Sequence, residues 1–155
     1  MPASYYLDTS ALGKRYVEEV GSDWVRALTA PDAGHALLTA RITMAEIYSV
    51  LARRRREGSA QADACAVAAQ AFTAHSKTEY RFIELDINII SLARDLLDRY
   101  PLRAYDSVQL ASASAANQAL VDRELPALVF VSADDRLLKA ATAEGLAVEN
   151  PNLHP

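Results

Sequence analysis

Short apolar runs alternate along the chain with longer segments in which apolar residues recur every three or four positions. The short runs predict buried strands, because a strand covered on both faces reads as a continuous apolar stretch. Five strands are predicted, the last of them at an edge, at residues 5–7, 35–39, 80–85, 127–131 and 146–149. Glycine, proline or acidic residues follow most of these runs, as expected where strands end.

The longer segments predict helices. The clearest covers residues 42–57, where apolar positions 44, 47, 50 and 51 share one face and Gly58 follows as a C-cap. The others are predicted at residues 11–20, 23–30 after an N-cap at Ser22, 59–76 opening at Ser59, 88–100, 105–122 and 134–144. Strands that alternate with helices are typical of βαβ units around a parallel sheet. The sequence therefore predicts one α/β domain over residues 1–155, with a frayed tail at 150–155.

Length and composition narrow the class of protein. The chain has 155 residues, of which 51% are hydrophobic and 23% charged, as in an ordinary globular domain. A single cysteine, Cys65, excludes an internal disulfide framework and a multi-cysteine zinc site. The N-terminus lacks the pattern of a signal peptide, and no apolar run is long enough for a membrane span. We therefore expect a cytoplasmic protein with no membrane partner.

The charge is unevenly distributed. The net charge is −4, with 9 basic and 8 acidic residues in positions 1–77 against 7 and 12 in positions 78–155. This balance disfavours a globally basic nucleic-acid binder but leaves room for a local patch. Arg53 and Arg54 open a run of four arginines, and Lys14 and Arg15 follow the first strand. These four residues are candidate contacts for a phosphate or a protein partner; the alternative is a solvated helix face or helix C-terminus.

Four acidic residues fall where strands end or helices begin: Asp8, Glu46, Asp106 and Asp134. In an open α/β sheet, ligands bind in the crevice beyond the carboxyl ends of the strands, so these side chains are expected to meet there. Each also has a purely structural interpretation. The three aspartates suit the N-cap position, and Thr43 with Glu46 fits a capping box.

Carboxylates gathered in one cleft repel one another unless a cation lies between them. An all-oxygen ligand set favours a hard ion such as Mg²⁺ or Mn²⁺. Such an ion can activate water for phosphodiester cleavage, so no side-chain nucleophile is needed. The sequence thus predicts a metal-dependent hydrolase of phosphodiesters.

Four stretches carry a family resemblance. They read YLDTSAL at residues 6–12, TMAEI at 43–47, LRAYDSVQLA at 102–111 and VSADDRLL at 131–138. In this order they resemble a PIN-domain ribonuclease, and more closely the VapC-type toxin of a toxin–antitoxin pair. The resemblance runs from about residue 5 to residue 151. It implies a three-layer α/β/α sandwich with a short, mainly parallel sheet of about 4–5 strands.

The resemblance also implies roles for individual residues. Asp8, Glu46, Asp106 and Asp134 would form the catalytic set that binds Mg²⁺ or Mn²⁺, with Asp135 as the alternative to Asp134. Ser10 and Ser132 would steady the carboxylates through their hydroxyls, unless they serve only as turn or cap residues. The expected protein is an endoribonuclease toxin that inhibits translation until its antitoxin binds, and that forms a homodimer.

Two other functions stay open at this point. One is a binding module without catalysis, either an inactive PIN-like domain or a receiver-like domain that would use Asp86 and the late lysine Lys139. The other is a phosphatase with Asp8 as nucleophile. That chemistry needs a second acid at position 10, where this chain has Ser10.

Overall fold

The computed structural model describes residues 2–58 and 62–155. Their five strands are β1 (Ser4–Leu7), β2 (Ala36–Ala40), β3 (Tyr80–Ile83), β4 (Val129–Val131) and β5 (Ala147–Glu149). The strands form one sheet in the order β3-β2-β1-β4-β5, and every neighbouring pair is parallel. The predicted parallel α/β sheet is confirmed.

Helices connect the strands. They are α1 (Thr9–Leu12), α2 (Ser22–Thr29), α3 (Ile42–Glu57), α4 (Ala62–Thr78), α5 (Ile87–Arg99), α6 (Ala104–Val121) and α7 (Asp135–Ala143), with 3₁₀ turns at Gly13–Arg15, Pro31–Ala33 and Pro151–Leu153. The predicted cap at Ser59 lies outside the described residues. Over the part of the chain that the structure covers, no helix has the length and apolar character needed to cross a membrane.

The alternation of side chains along each strand divides the core into two layers. Tyr6, Leu38 and Phe130 lie on one face of the sheet, in a cluster with residues of α5, α6 and α7. Their neighbours Leu7, Leu37 and Val131 lie on the other face, in a cluster with residues of α1, α2, α3 and α4. The sheet therefore has helices on both faces, which is the predicted three-layer α/β/α sandwich.

The chain reverses its direction of travel across the sheet between β1 and β4. From β1 it moves outward through β2 and β3, and it then returns to the other side of β1 as β4 and β5. A crevice opens at such a switch point, beyond the carboxyl ends of the two strands. The residues that follow β1 and β4 therefore share one edge of the sheet.

The helix predicted at residues 11–20 is wrong for its second half. The chain forms α1 and one 3₁₀ turn, and no helix covers residues 16–20. Ser22 Oγ donates to the Val17 carbonyl and accepts from the Glu19 amide at 2.9 Å. These local bonds give the backbone an alternative to helix hydrogen bonds. Ser22 is consequently not the N-cap of α2, which is Gly21 in the left-handed region.

The segment of residues 150–155, where fraying is predicted, makes defined contacts. The segment contains a 3₁₀ turn, and the ring of His154 stacks on that of Trp24 with centroids 4.5 Å apart. Gly21 makes this packing possible: a Cβ there would lie 2.2 Å from the Pro151 carbonyl oxygen. The C-terminal segment is thus fixed against the start of α2.

Candidate active site

One cleft at the switch point holds all four predicted acids. Asp8 follows β1, Asp134 lies three residues after β4, Asp106 lies in the first turn of α6, and Glu46 lies early in α3. All four line a cavity of about 350 Å³. The structure therefore brings together the residues that the sequence pattern placed at this edge.

Asp8 is the most enclosed of the four. It is 4% exposed, and its Oδ1 accepts hydrogen bonds from Ser10 Oγ at 2.7 Å and the Ala11 amide at 2.9 Å. Its Oδ2 accepts from Ser132 Oγ at 2.6 Å. The predicted contacts of Ser10 and Ser132 are present, and Asp8 also caps α1. Because a carboxylate offers about four acceptor positions, one position on Oδ2 is left for a ligand.

The environment of Asp8 opposes its ionisation. Burial and, to a smaller extent, the charge of Asp106 raise the pKa of Asp8 from 3.8 to about 6, against the effect of its three hydrogen-bond donors. A neutral carboxyl is a poor metal ligand, whereas a bound cation would favour the carboxylate. Proton and cation therefore compete for this side chain.

Arg103 lies between the other two aspartates. Its Nε is 3.3 Å from Asp106 Oδ2, and its Nη2 is 3.8 Å from Asp134 Oδ2. Asp106 does not cap α6, because Arg103 occupies the N-cap position. Asp134 does cap α7, through its Oδ1 and the Arg136 amide at 2.9 Å. Arg103 thus places positive charge between Asp106 and Asp134, a role that the sequence did not predict.

Of the two neighbouring candidates for the fourth acid, Asp134 lines the cleft. Asp135 does not line the cleft, and its Oδ1 accepts a hydrogen bond from Asn150 Nδ2 at 3.1 Å. The one-residue alternative would therefore require a different start for α7.

Glu46 is held by two donors. Thr9 Oγ1 donates to Glu46 Oε1 at 2.8 Å, and Gln109 Nε2 donates to the same oxygen at 2.9 Å. The predicted capping box does not form, because Thr43 Oγ1 pairs with Thr39 and Gln109 instead. Glu46 is thus fixed by long-range contacts rather than by its own helix.

The four predicted basic contacts separate into two groups. Arg53, Arg54 and Lys14 line the cleft, but Lys14 is buried and pairs with Glu19 at 3.2 Å. Arg54 pairs with the same Glu19 at 2.7 Å. Arg15 points elsewhere, to Glu79 Oε2 at 2.6 Å and the Tyr80 hydroxyl at 2.7 Å. Arg53 and Arg54, and not Arg15, therefore line the same cleft as the four acids.

The ligand chemistry of the cleft fits a hard divalent cation, since carboxylates and hydroxyls supply only oxygen. The side chains as placed do not form a closed ligand set: across residues 2–58 and 62–155, no three His, Cys, Asp or Glu side chains are grouped to hold a metal ion. The bonds from Arg103 and from the serines occupy oxygens that a cation would share. The four-acid metal set stays a prediction.

Comparison with known proteins identifies the family. The sequence profile of the PIN domain matches residues 5–143. This chain belongs to the PIN-domain family. PIN domains are generally nucleases that use divalent metal ions, which supports a hydrolase acting on nucleic acids.

Two solved structures share the fold of this PIN domain. A chain of VapBC2 from Rickettsia felis, bound to a DNA fragment from their promoter, has a TM-score of 0.62 at 14% identity, over 95% of this chain and 98% of that one. A chain of a toxin–antitoxin complex from Klebsiella pneumoniae has a TM-score of 0.55 at 16% identity, over 95% and 97%. No curated protein matches this PIN domain significantly.

Sequence reasoning assigned no role to Arg103, Gln109, Thr9 or Glu19 in the cleft. A signal existed for two of them. Arg103 and Gln109 lie three residues before and after Asp106, and a spacing of three places side chains on the same side of a helix. Nothing in the local sequence indicated that Glu19 would pair with both Lys14 and Arg54, because that contact depends on the irregular segment after α1.

The receiver-like alternative is not supported by the positions of its key residues. Asp86 follows β3, which is an edge strand, and its carboxylate caps α5 by accepting from the Ile89 amide at 2.9 Å. Asp86 does not line the cleft. The phosphatase alternative is not supported either, because Ser10 serves as a donor to Asp8.

Proposed function

We propose that this PIN domain is a Mg²⁺- or Mn²⁺-dependent endoribonuclease. The observation that supports the proposal most strongly is the gathering of Asp8, Glu46, Asp106 and Asp134 in one cleft at the switch point. Buried carboxylates are costly unless a cation accompanies them. Arg103 bonds to Asp106, but its side chain is 75% exposed and offsets little of that charge.

The proposed roles follow from the contacts. Asp8 and Asp106 would bind the ion directly, and Asp134 and Glu46 would complete the ligand set, with Glu46 also orienting the attacking water. When bound, the ion lowers the pKa of water and stabilises charge on the leaving oxygen. Ser10 and Ser132 hold the Asp8 carboxylate in one orientation.

RNA binding is assigned to the basic end of the cleft. Arg53 lies seven residues after Glu46 on α3, which is two helical turns and about 10 Å along the axis. That distance places a guanidinium within reach of a phosphate next to the one being cleaved. In this proposal, Arg53 and Arg54 bind the phosphate backbone of the RNA that is cleaved at the four acids.

We also propose that this nuclease acts in the cell as a toxin. Both fold neighbours come from toxin–antitoxin complexes. We infer that this chain is the toxin of such a pair, that it inhibits translation in the cytoplasm by cleaving RNA, and that a cognate antitoxin covers the cleft. We further expect a homodimer.

The test is cleavage of a labelled single-stranded RNA by protein purified free of antitoxin. We expect cleavage with Mn²⁺ or Mg²⁺, none with EDTA, and none of a DNA strand of the same sequence. Cleavage that persists in EDTA would contradict metal dependence. A protein that binds RNA and metal without cleaving any of a broad panel of RNAs would favour the non-catalytic alternative.

A further inference from the structure

Beneath the cleft, a buried amide joins the sheet to Glu46. Gln109 is 3% exposed, and its Oε1 accepts a hydrogen bond from the Tyr6 hydroxyl at 2.8 Å. Its Nε2 donates to Glu46 Oε1 and Thr43 Oγ1, each at 2.9 Å, and lies 3.2 Å from Thr9 Oγ1. All polar atoms of the Gln109 side chain therefore have partners.

The contacts permit only one orientation of the amide. A carboxylate oxygen can only accept hydrogen bonds, so the amide NH₂ must face Glu46. On the opposite side, the phenol of Tyr6 donates to Oε1. A flipped amide would place Oε1 against Glu46 and lose both contacts.

The network is anchored in the sheet. Thr43 Oγ1 is hydrogen-bonded to Thr39 Oγ1 at 2.8 Å, and Thr39 Oγ1 donates to the Leu7 carbonyl at 2.8 Å. Leu7 is the last residue of β1 and directly precedes Asp8. The network therefore connects Glu46 to the end of β1, where Asp8 lies, although the two acids are about forty positions apart in the sequence.

Burial by itself does not require a polar side chain at position 109, because an apolar residue could fill the same space. The neighbours Val108, Leu110, Ala111 and Ala113 are all buried in the core of α6. A polar side chain in such a place is favourable only when every one of its groups is bonded, and the group that Gln109 serves on the cleft side is Glu46.

We propose that Gln109 is a positioning residue that fixes the Glu46 carboxylate in the cleft. The inference rests on the proposed metal-dependent function and adds a residue to it. Both bonds to Glu46 end on Oε1, so Oε2 is available to a ligand. Gln109 acts through Glu46 and does not touch the substrate.

The decisive variant is Gln109→Met, which keeps the volume and removes the hydrogen bonds. Lost outer-sphere partners of metal ligands typically cost about 10–100-fold in metal affinity or activity. We expect Mn²⁺ affinity, measured by calorimetry, to fall about tenfold, and kcat for RNA cleavage to fall by about the same factor with KM unchanged. Gln118→Met is the matched control, because Gln118 lies on the exposed side of the same helix and its side chain donates to Asp122 Oδ1.

A double-mutant cycle separates positioning from general stability. If Gln109 acts through Glu46, Gln109→Met has no further effect on Mn²⁺ affinity in the Glu46→Ala background. The inference is contradicted if Gln109→Met lowers Mn²⁺ affinity equally in the wild-type and Glu46→Ala backgrounds. It is also contradicted if Gln109→Met keeps the Mn²⁺ affinity and kcat of the wild type. If Gln109→Met does not fold, Tyr6→Phe provides the same test, since it removes only the donor that orients the amide.

The outcome also separates this inference from the proposed function. If the wild type binds Mn²⁺ and cleaves RNA and Gln109→Met does both equally well, the role of Gln109 is contradicted but the proposed function is not. Wild-type protein that binds no Mn²⁺ contradicts both.

Discussion

Asp8→Asn is expected to reduce RNA cleavage by at least about 100-fold while making the metal-free protein more stable above pH 6. The loss of activity follows from removal of a ligand charge at unchanged volume. The gain in stability follows from burial, which raises the pKa of Asp8 from 3.8 to about 6 in the folded protein. The same side chain would thus support function at the cost of stability.

The sign of the pH effect is fixed by the direction of that shift. The folded protein holds the Asp8 proton more tightly than the unfolded chain, so the contribution of this carboxyl to stability is largest below pH 4 and is lost as the pH rises through 6. Asparagine does not titrate. The stability difference between Asp8→Asn and wild type should therefore grow between pH 4 and 6 and then level off, at no more than about 3 kcal/mol.

Denaturant unfolding of both proteins in EDTA, from pH 4 to pH 8, measures this difference. Asp86→Asn is the control, because Asp86 also follows a strand and caps a helix but lies outside the cleft. It should cleave RNA at the wild-type rate. An Asp8→Asn protein that unfolds more easily than wild type at pH 8 would make Asp8 primarily structural.

Reversal of one charge at the basic end should have the second largest effect. Arg53→Glu is expected to weaken RNA binding about tenfold and to lower the salt dependence of binding by about one phosphate contact. Arg55→Glu makes the same change in net charge two residues away, on an exposed side chain that does not line the cleft. It should leave RNA affinity nearly unchanged.

Fluorescence anisotropy with a single-stranded RNA, over a range of salt concentrations and with EDTA to prevent cleavage, compares the two variants. Equal weakening by both would mean that net charge, rather than a contact in the cleft, controls affinity. If Arg53→Glu binds RNA with wild-type affinity, RNA does not contact Arg53. An antitoxin contact would then be favoured for the arginine run.

The periodicity of apolar residues predicted the fold well because the sheet is buried on both faces. Strands such as β1 and β4 are short runs rich in apolar and aromatic residues, and the helices from α3 to α7 bury apolar residues, so local pattern and tertiary structure agree. The errors occur where local propensity lost to a specific contact. Residues 16–20 lack helix because Ser22 binds their backbone. The packing of the C-terminal segment against Gly21 and Trp24 was likewise not visible in the local pattern.

The sequence predicted which acids line the cleft, but it did not predict the residues that bond to them. Parallel topology alone requires Asp8 and Asp134 to share an edge of the sheet. The partners of those acids come from distant elements, as with Gln109 and Glu46, and only the three-dimensional arrangement shows which donor reaches which oxygen. Arg15 shows the reverse case, since proximity to Asp8 in sequence did not place it in the cleft.

Calorimetric titration of Mn²⁺ into antitoxin-free wild type and Asp106→Asn tests the central claim most directly. Asp106 lies in the cleft, and its charge acts on buried Asp8. The account predicts saturable binding by the wild type, in the presence of RNA if not in its absence, and at least tenfold weaker binding by Asp106→Asn. No binding by wild type under either condition, or equal binding by both proteins, would contradict a carboxylate metal site and leave these acids as helix caps and ion-pair partners.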